Sequence, residues 1–186
     1  MQTILITGGA GFIGSNFVRL ALEKQSQWSI INLDALTYAG NALNLSDLED
    51  KYGQRYQFVH GNILDQSLLR KIFEKKVISY VVHFAAESHV DRSIEDPFAF
   101  IETNVTGTCS LLTTAHEAWK QKKCDENFKF IHVSTDEVYG SLGKKGHFSE
   151  KSPYDPSSPY SASKASSDHL ARAWFRTYGF PTIVTN

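Results

Sequence analysis

Short apolar runs alternate along this chain with longer segments in which apolar residues recur at helical spacing. Runs of the first kind, bounded by turn residues, predict strands, and segments of the second kind predict helices. The predicted strands cover residues 3–7, 29–33, 56–60, 80–84, 128–134 and 182–185. The predicted helices cover residues 12–24, 43–52, 67–74, 97–122 and 160–178.

This alternation of strands and helices is typical of a parallel sheet covered on both faces. Because crossovers between parallel strands are right-handed, we expect a doubly wound α/β fold of the Rossmann type, with about six strands and helices on both faces. No internal domain boundary is evident, so residues 1–186 are expected to form one domain. The loop over residues 140–159 is long enough for a mobile cover but too short for a second domain.

The composition narrows the class of protein. With 186 residues, 41% hydrophobic and 21% charged, the chain has the size and balance of a globular domain. A net charge of −1 gives no indication of a nucleic-acid partner, and no apolar run is long enough to cross a bilayer. Cys109 and Cys124 fit no metal or redox motif. We therefore expect no metal site. The N-terminal residues lack the pattern of a leader sequence, so we expect a cytoplasmic protein.

A glycine-rich turn joins the first predicted strand to the first predicted helix. Gly8, Gly11 and Gly14 suit a sharp turn, a close approach of a pyrophosphate and tight packing of helix on strand. Asp34 follows the second strand, where an acidic side chain holds ribose hydroxyls and repels a 2′-phosphate. The turn therefore predicts binding of NAD rather than NADP. The alternative for Asp34 is a turn or loop-capping residue.

Tyr160 and Lys164 lie four residues apart on the last predicted helix, so they share a face. An ammonium beside a phenol favours the phenolate, which can act as a base toward a sugar hydroxyl. The same spacing also occurs on ordinary amphipathic helix surfaces. Its place after the fifth strand, on the ligand-binding side of a doubly wound sheet, favours a catalytic pair.

Thr135, Asp136 and Glu137 come directly after the fifth predicted strand, at the edge of the sheet where chemistry is expected. Thr135 can hydrogen-bond an oxygen that becomes a carbonyl. The two carboxyl groups can divide acid and base roles if their surroundings separate their pKa values. The alternative is a solvated acidic turn.

These motifs resemble those of the extended short-chain dehydrogenase/reductase family, and within it those of the dTDP-glucose 4,6-dehydratases. The Thr-Asp-Glu run is the most specific part of the resemblance, which covers essentially the whole chain. The matching segments are residues 8–14, 32–34, 36–41, 83–93, 102–105, 107–108, 135–140 and 160–164.

The resemblance implies a lyase that converts dTDP-glucose to dTDP-4-keto-6-deoxyglucose and regenerates its NAD. Tyr160 would take the proton from the sugar O4 while hydride leaves C4. Glu137 would then remove the C5 proton as Asp136 protonates the departing C6 hydroxyl, and hydride would return to C6. Products of this kind feed deoxysugar biosynthesis.

The resemblance also assigns residues to the two ligands. The catalytic set comprises Thr135, Asp136, Glu137, Tyr160 and Lys164. Ser88 and Thr135 would approach the sugar. His89, in the same loop as Ser88, is expected to have a structural role in that loop rather than a catalytic one. The set expected to contact NAD is Gly8, Gly11, Phe12, Ile13, Gly14, Asp34, Ala35, Leu36, Thr37, Asn62, Ile63, Phe84, Ala85, Ala86, Ser88, Thr103, Tyr160 and Lys164.

The chain departs from the family pattern in three places. Asn62 stands where an Asp is usual, and its amide oxygen can still accept a hydrogen bond from adenine. Ala35 replaces a common Lys, which removes a contact at the ribose edge. The family also carries a C-terminal portion that grips the nucleoside diphosphate, and we expect that portion to be absent from these 186 residues.

Three alternatives remain open from the sequence. A related nucleotide-sugar epimerase or decarboxylase is disfavoured by the Asp-Glu pair, because epimerases carry small residues there and decarboxylases typically one acid. A non-catalytic NAD-binding fragment is favoured by the length. A scaffold that only dimerises is weaker, although the helices over residues 97–122 and 160–178 form a dimer interface in the family, so a homodimer is expected.

Overall fold

A computed structural model describes residues 1–143 and 145–186. The strands of its single parallel sheet are β1 (Gln2–Thr7), β2 (Trp28–Asp34), β3 (Tyr56–His60), β4 (Ile78–His83), β5 (Cys124–Val133) and β6 (Thr182–Thr185). Their order across the sheet is β3-β2-β1-β4-β5-β6, which confirms the predicted doubly wound topology. The order reverses between β1 and β4, so a crevice opens there at the carboxyl ends of the strands.

The helices follow the predicted positions with local differences. They are α1 (Phe12–Lys24), α2 (Leu48–Tyr52), α3 (Gln66–Lys75), α4 (Val90–Glu95), α5 (Pro97–Phe100), α6 (Thr108–Lys120) and α7 (Pro159–Tyr178). The predicted helix over 43–52 is a 3-10 turn, Ala42–Leu45, followed by α2. The predicted helix over 97–122 contains a π-helical segment, Ile101–Gly107, and ends at Lys120. Helix α4 was not predicted.

Alternate residues of the central strand face two separate apolar layers. Leu5 packs with residues of α3, α6 and α7 on one face of the sheet. Ile4 and Ile6 pack with residues of α1 and α2 on the other. Each such fully buried aliphatic side chain contributes about 1.5–3 kcal/mol relative to an exposed one. The two layers hold the sheet rigid beneath its carboxyl edge.

Helix α7 carries signals at both ends that fix its position. Ser158 and Ser161 form a reciprocal capping box at its N-terminus, and Gly179 ends it in the left-handed conformation with φ 65°. Its middle turns bury Lys164 and Asp168 against the sheet. The helix is therefore anchored where the catalytic pair was predicted.

The described part of the loop over 140–159 packs against the fold, and the mobile cover suggested by its length stays a prediction. Phe148 and Tyr154 pack with Val138, Tyr139 and Ala165 in a small third apolar cluster. Lys144 in this loop lies outside the described residues. The described part of the loop packs against α7, because burial of its aromatic side chains on this apolar surface is favourable.

No helix in the described part of the chain combines the length and the apolar character that a membrane span requires.

Candidate active site

A cavity of about 630 Å³ opens at the crevice between β1 and β4. Its size falls in the range of small-molecule and cofactor sites. Every residue that the sequence assigned to NAD lines this cavity except Leu36. Leu36 adopts a positive φ of 52°, and its N–H donates to the carboxylate of Asp34 at 2.8 Å, so its place is in the turn after β2 rather than in the cavity wall.

The glycine-rich turn can be built only without side chains. Gly8 has φ 73°, and a Cβ atom there would lie 2.5 Å from the backbone nitrogen of Ala85. A Cβ atom on Gly14 would lie 2.2 Å from the carbonyl oxygen of Gly8. The turn therefore brings β1, α1 and the end of β4 into close contact, and the first turn of α1 lines the cavity, where a helix N-terminus suits a phosphate.

Asp34 ties this turn to the loop after β2. Its carboxylate is buried and accepts hydrogen bonds from the N–H groups of Ala10 and Leu36, each at 2.8 Å. Asp34 thus has the turn-stabilising role that was its alternative interpretation, and it also lines the cavity. Each carboxylate oxygen retains a second lone pair for a further donor.

Tyr160 and Lys164 line the inner wall of the cavity together, as their spacing on α7 predicted. Lys164 is 4% exposed and donates from Nζ to the carbonyl oxygen of Val133 at 2.8 Å. Burial lowers the pKa of Lys164 to about 8, and the charge of Asp168 acts in the opposite direction.

The predicted effect of Lys164 on Tyr160 was wrong for this structure. The pKa of Tyr160 is raised, first by burial and then by the charges of Glu137, Asp136 and Asp168. A hydrogen bond with the side chain of Thr135 acts in the opposite direction. The phenol is desolvated and faces carboxylates, and both conditions disfavour a second negative charge.

The acidic pair stands at the rim of the cavity. Thr135 caps a short 3-10 helix, Asp136–Tyr139, by accepting from the N–H of Glu137 at 3.3 Å. Asp136 and Glu137 are exposed and, like Thr135, lie outside the cavity lining. The pKa of Glu137 is raised by burial of its carboxyl and then by the charge of Asp136. Ser134, shortly before the pair, lines the cavity together with Tyr160, and Val138 directly after it packs with Ala165 of α7, so the pair and Tyr160 belong to one site.

Buried polar residues beneath this site were missed in the sequence. Asp168, which is fully buried, contacts His132, Ser134 and Tyr154. Its position four residues after Lys164 places it on the same face of α7, and that spacing was the available signal. Burial lowers the pKa of His132 to about 4.

A second missed group holds the loop after β4. Asn104, in the π-helical segment, bonds the backbone N–H and C=O of Glu87 at 2.8 and 2.9 Å and donates to Ser163 at 2.8 Å. Glu87 lines the cavity, and burial raises the pKa of its carboxyl. Because the buried side-chain amide of Asn104 hydrogen-bonds both backbone groups of Glu87, it holds this loop in place.

A third missed contact joins α4 to the loop after β2. The guanidinium of Arg92, on α4, lies 3.8 Å from the centre of the Tyr38 ring. Tyr38 belongs to the loop after β2 and also lines the cavity. This cation–π contact links the loops after β2 and β4.

Comparisons with known proteins agree with this geometry. The sequence model of the family described as GDP-mannose 4,6 dehydratase matches residues 5–186. The chain is 54% identical over 194 residues to a dTDP-glucose 4,6-dehydratase of Salmonella typhimurium, covering 98% of this chain and 53% of that protein. It is 53% identical to dTDP-glucose 4,6-dehydratase 1 of Escherichia coli, covering 98% of this chain and 53% of that protein. The chain spans about half the length of the curated relatives it matches.

Solved structures show the same likeness. A dTDP-glucose 4,6-dehydratase of Streptomyces venezuelae with NAD bound superposes with a TM-score of 0.87 at 48% identity, covering 98% of this chain and 54% of that one. The Bacillus anthracis dTDP-glucose 4,6-dehydratase in complex with NAD superposes with a TM-score of 0.84 at 46% identity, covering 99% of this chain and 54% of that one. A UDP-glucose 4-epimerase of Brucella ovis gives 0.83 at 28% identity, covering 99% and 51%.

Proposed function

The chain belongs to the GDP-mannose 4,6-dehydratase family, and on this premise we propose that it forms the NAD-binding and catalytic part of a dTDP-glucose 4,6-dehydratase. The observation that carries this proposal is that Asp136 and Glu137 follow closely on Ser134, which lines the same cavity as Tyr160. Residues 1–186 act as one domain. The relatives of about 50% identity that bear this activity support the choice of substrate.

The residues around the cavity fit NAD. The side-chain-free cradle at Gly8 and Gly14 and the free N–H groups of α1 suit the pyrophosphate. Asp34 keeps lone pairs for the ribose hydroxyls and disfavours a 2′-phosphate. Ile63 and Asn62, at the end of β3, lie where the adenine would rest. Bound NAD would supply the acceptor and the donor of hydride for the sugar.

Tyr160 acts first, as the base that takes the proton from the sugar O4. Its raised pKa makes the phenolate a strong base once it forms, but forming it costs free energy. Lys164, one helical turn away, holds α7 beside the end of β5 by donating from Nζ to the carbonyl oxygen of Val133. Thr135 hydrogen-bonds the same oxygen as it becomes a carbonyl, and Ser88 approaches the sugar from the loop after β4.

The acidic pair then removes water. The C4 ketone acidifies the C5 hydrogen, and Glu137 takes that proton while Asp136 gives a proton to the C6 hydroxyl. The C6–O bond breaks, a C5–C6 double bond forms and water leaves. The raised pKa of Glu137 makes its carboxylate a stronger base than an ordinary one. Hydride returns to C6 and a proton to C5, so the reaction is a net dehydration by a lyase.

A second candidate is a module that binds NAD without catalysis. The observation in its favour is that the residues assigned to NAD, except Leu36, line the cavity, whereas Asp136 and Glu137 lie outside its lining. A 4-epimerase fits less well, because the two carboxyls of Asp136 and Glu137 have no part in epimerisation.

We further propose a homodimer and a cytoplasmic location. Large apolar side chains are exposed along α5, the π-helical segment and α7, namely Phe98, Ile101, Phe175 and Tyr178. Exposed apolar groups on neighbouring helices are typical of an association surface. Sedimentation analysis of the protein would test this, since a monomer at micromolar concentration would contradict it.

The proposed activity is tested with the matched variants Glu137→Gln and Asp136→Asn. Each keeps the shape of its side chain but cannot exchange a proton. The wild-type protein, given NAD⁺ and dTDP-glucose, is expected to form a sugar nucleotide lighter by one water. Both variants are expected to lose at least about a hundredfold in dehydration rate. Full dehydration by Glu137→Gln would show that the acidic pair is not the eliminating pair.

A further inference from the structure

One buried carboxylate in α7 accepts hydrogen bonds from two residues that lie far apart in the sequence. Asp168 is fully buried, and its Oδ2 accepts from the hydroxyl of Ser134 at 2.6 Å and from that of Tyr154 at 2.8 Å. Its Oδ1 lies 3.1 Å from Nε2 of His132. The proposed mechanism gives this carboxylate no role, although it lies one helical turn beyond Lys164.

The two hydroxyls stand at opposite ends of one segment. Ser134 directly precedes Thr135, Asp136 and Glu137, and Tyr154 lies in the loop that follows them. A single carboxylate therefore holds both the entry and the exit of the stretch that bears the acidic pair. Hydrogen bonds to a buried charged acceptor are among the stronger ones in proteins.

Contacts within the segment make it a closed unit. The N–H of Asp155 donates to the carbonyl oxygen of Val138 at 3.0 Å. The rings of Tyr139 and Tyr154 meet edge to face with centroids 5.3 Å apart, and Val138 packs on Ala165 of α7. The acidic pair thus sits on a short arm whose two ends are fixed to the helix that carries Tyr160.

The surroundings of Asp168 keep it ionised and keep its partners as hydrogen-bond donors. Hydrogen bonds from Ser134 and Tyr154, together with the nearby imidazole of His132, lower the pKa of Asp168 against the effect of burial, so the carboxylate stays ionised. The pKa of Tyr154 is raised by burial and by Asp168, so its hydroxyl remains a donor. Loss of a donor would leave part of a buried charge unsatisfied.

We propose that Asp168 is a positioning residue, which fixes Asp136 and Glu137 relative to Tyr160 by holding both ends of their segment. The proposal rests on the proposed function, because it concerns the elimination step of that reaction. Misplacement of a reacting group by about 1 Å can cost about a hundredfold in rate. The effect should fall on elimination, for which the acidic pair is needed, and spare oxidation at C4, for which Tyr160 is needed.

The test uses variants that remove one contact each. Tyr154→Phe and Ser134→Ala delete the donors and keep the packing, and the double variant removes both. Asp168→Asn keeps the shape of the acceptor, and the donor variants still decide the matter if it does not fold. Matched controls are Ser166→Ala on the exposed side of α7 and Tyr52→Phe in α2, which delete a hydroxyl elsewhere.

The first readout is amide hydrogen exchange, which needs no substrate. In the double variant the amides of residues 136–139 are expected to exchange about tenfold faster or more, because two bonds to a charged acceptor are lost. The amides of β1 and β4 should keep their rates, as should all amides in the two controls. Unchanged exchange rates at residues 136–139 would overturn the proposal that Asp168 holds this segment in place.

The second readout separates oxidation from elimination in the protein, given NAD⁺ and dTDP-glucose. Mass spectrometry distinguishes the C4-oxidised sugar nucleotide, lighter by two hydrogens, from the dehydrated product. The double variant should slow dehydration at least about tenfold, with C4 oxidation within about threefold of wild type, so the oxidised sugar accumulates. Equal slowing of both steps would overturn positioning and leave a purely structural role.

Failure of the proposed function gives a different pattern. A wild-type enzyme that binds NAD but never dehydrates the sugar would contradict that function, and the exchange rates of residues 136–139 would still decide whether Asp168 holds the segment.

Discussion

The side-chain ammonium of Lys164 donates a hydrogen bond to the carbonyl oxygen of Val133 at 2.8 Å. Val133 is the last residue of β5, directly before the segment that carries the acidic pair. This bond joins α7 to the carboxyl edge of the sheet at the centre of the proposed active site. It also buries a charge, since Lys164 is 4% exposed, and that burial has a cost in stability.

The cost should appear as a pH dependence of unfolding. Burial lowers the pKa of Lys164 to about 8 in the folded chain, from an ordinary value of 10.5. Between these values the unfolded chain holds a proton that the folded chain has released, so this group makes the folded state more stable as pH rises. The free energy of unfolding of wild type should gain on the order of 3 kcal/mol relative to Lys164→Met between pH 8 and pH 10.5. Denaturant titrations of both proteins across this range measure the difference, and a constant difference would contradict the buried charge.

His132 should govern stability on the acid side. Burial, and then the charge of Lys164, lower the pKa of His132 to about 4 from an ordinary value of 6.5. As pH falls through this window, the unfolded chain takes up a proton before the folded chain does, and stability is lost. We expect His132→Gln to remove about 3 kcal/mol of that loss between pH 6.5 and pH 4. Urea titrations at several pH values would test it, and parallel curves for the two proteins would argue against a neutral, buried His132.

Gly14→Ala should damage the cofactor cradle. The added Cβ atom would lie 2.2 Å from the carbonyl oxygen of Gly8, so the turn or α1 must shift. We expect a loss of about 1–3 kcal/mol in the free energy of unfolding and a loss of NAD affinity of about tenfold or more. Gly143→Ala is the control, because a Cβ atom there meets nothing within 4 Å. Calorimetric NAD titrations that give equal affinity for both variants would contradict the cradle.

Arg92→Met should weaken NAD binding modestly. The guanidinium lies 3.8 Å from the centre of the Tyr38 ring and links the loops on two sides of the cavity. An exposed cation–π contact contributes about 0.5–1 kcal/mol, which corresponds to a two- to fivefold change in affinity. Arg176→Met, at the exposed end of α7, serves as the control in the same fluorescence titration. An affinity that is unchanged in Arg92→Met would show that this contact does not hold the loops for the cofactor.

Local chemistry made part of the fold predictable from the sequence. Helix α1 begins and ends at the predicted residues, because the glycines before Phe12 force a turn and apolar spacing marks its buried face. Helix α7 ends at Gly179 for a similar reason, since a left-handed C-cap favours glycine. The strand order follows from right-handed crossovers, which depend on element order rather than on particular residues.

Other features depend on contacts between distant parts of the chain. The π-helical segment Ile101–Gly107 buries Asn104 against Glu87 and Ser163, which no local pattern indicates. The raised pKa of Tyr160 arises from burial beside the acidic pair, whereas the sequence suggested only the effect of Lys164. Asp168 was missed because its partners lie 14 to 36 residues away, at Tyr154, Ser134 and His132.

The central claim is that Tyr160 and the acidic pair together dehydrate a nucleotide sugar. The most direct test is to incubate the protein with NAD⁺ and dTDP-glucose in D₂O and to determine the mass of the sugar nucleotide. We expect loss of one water and gain of one deuterium at C5, because the proton returned to C5 comes from solvent. A sugar nucleotide whose carbon-bound hydrogens and mass stay unchanged, or one changed only by epimerisation at C4, would contradict the account.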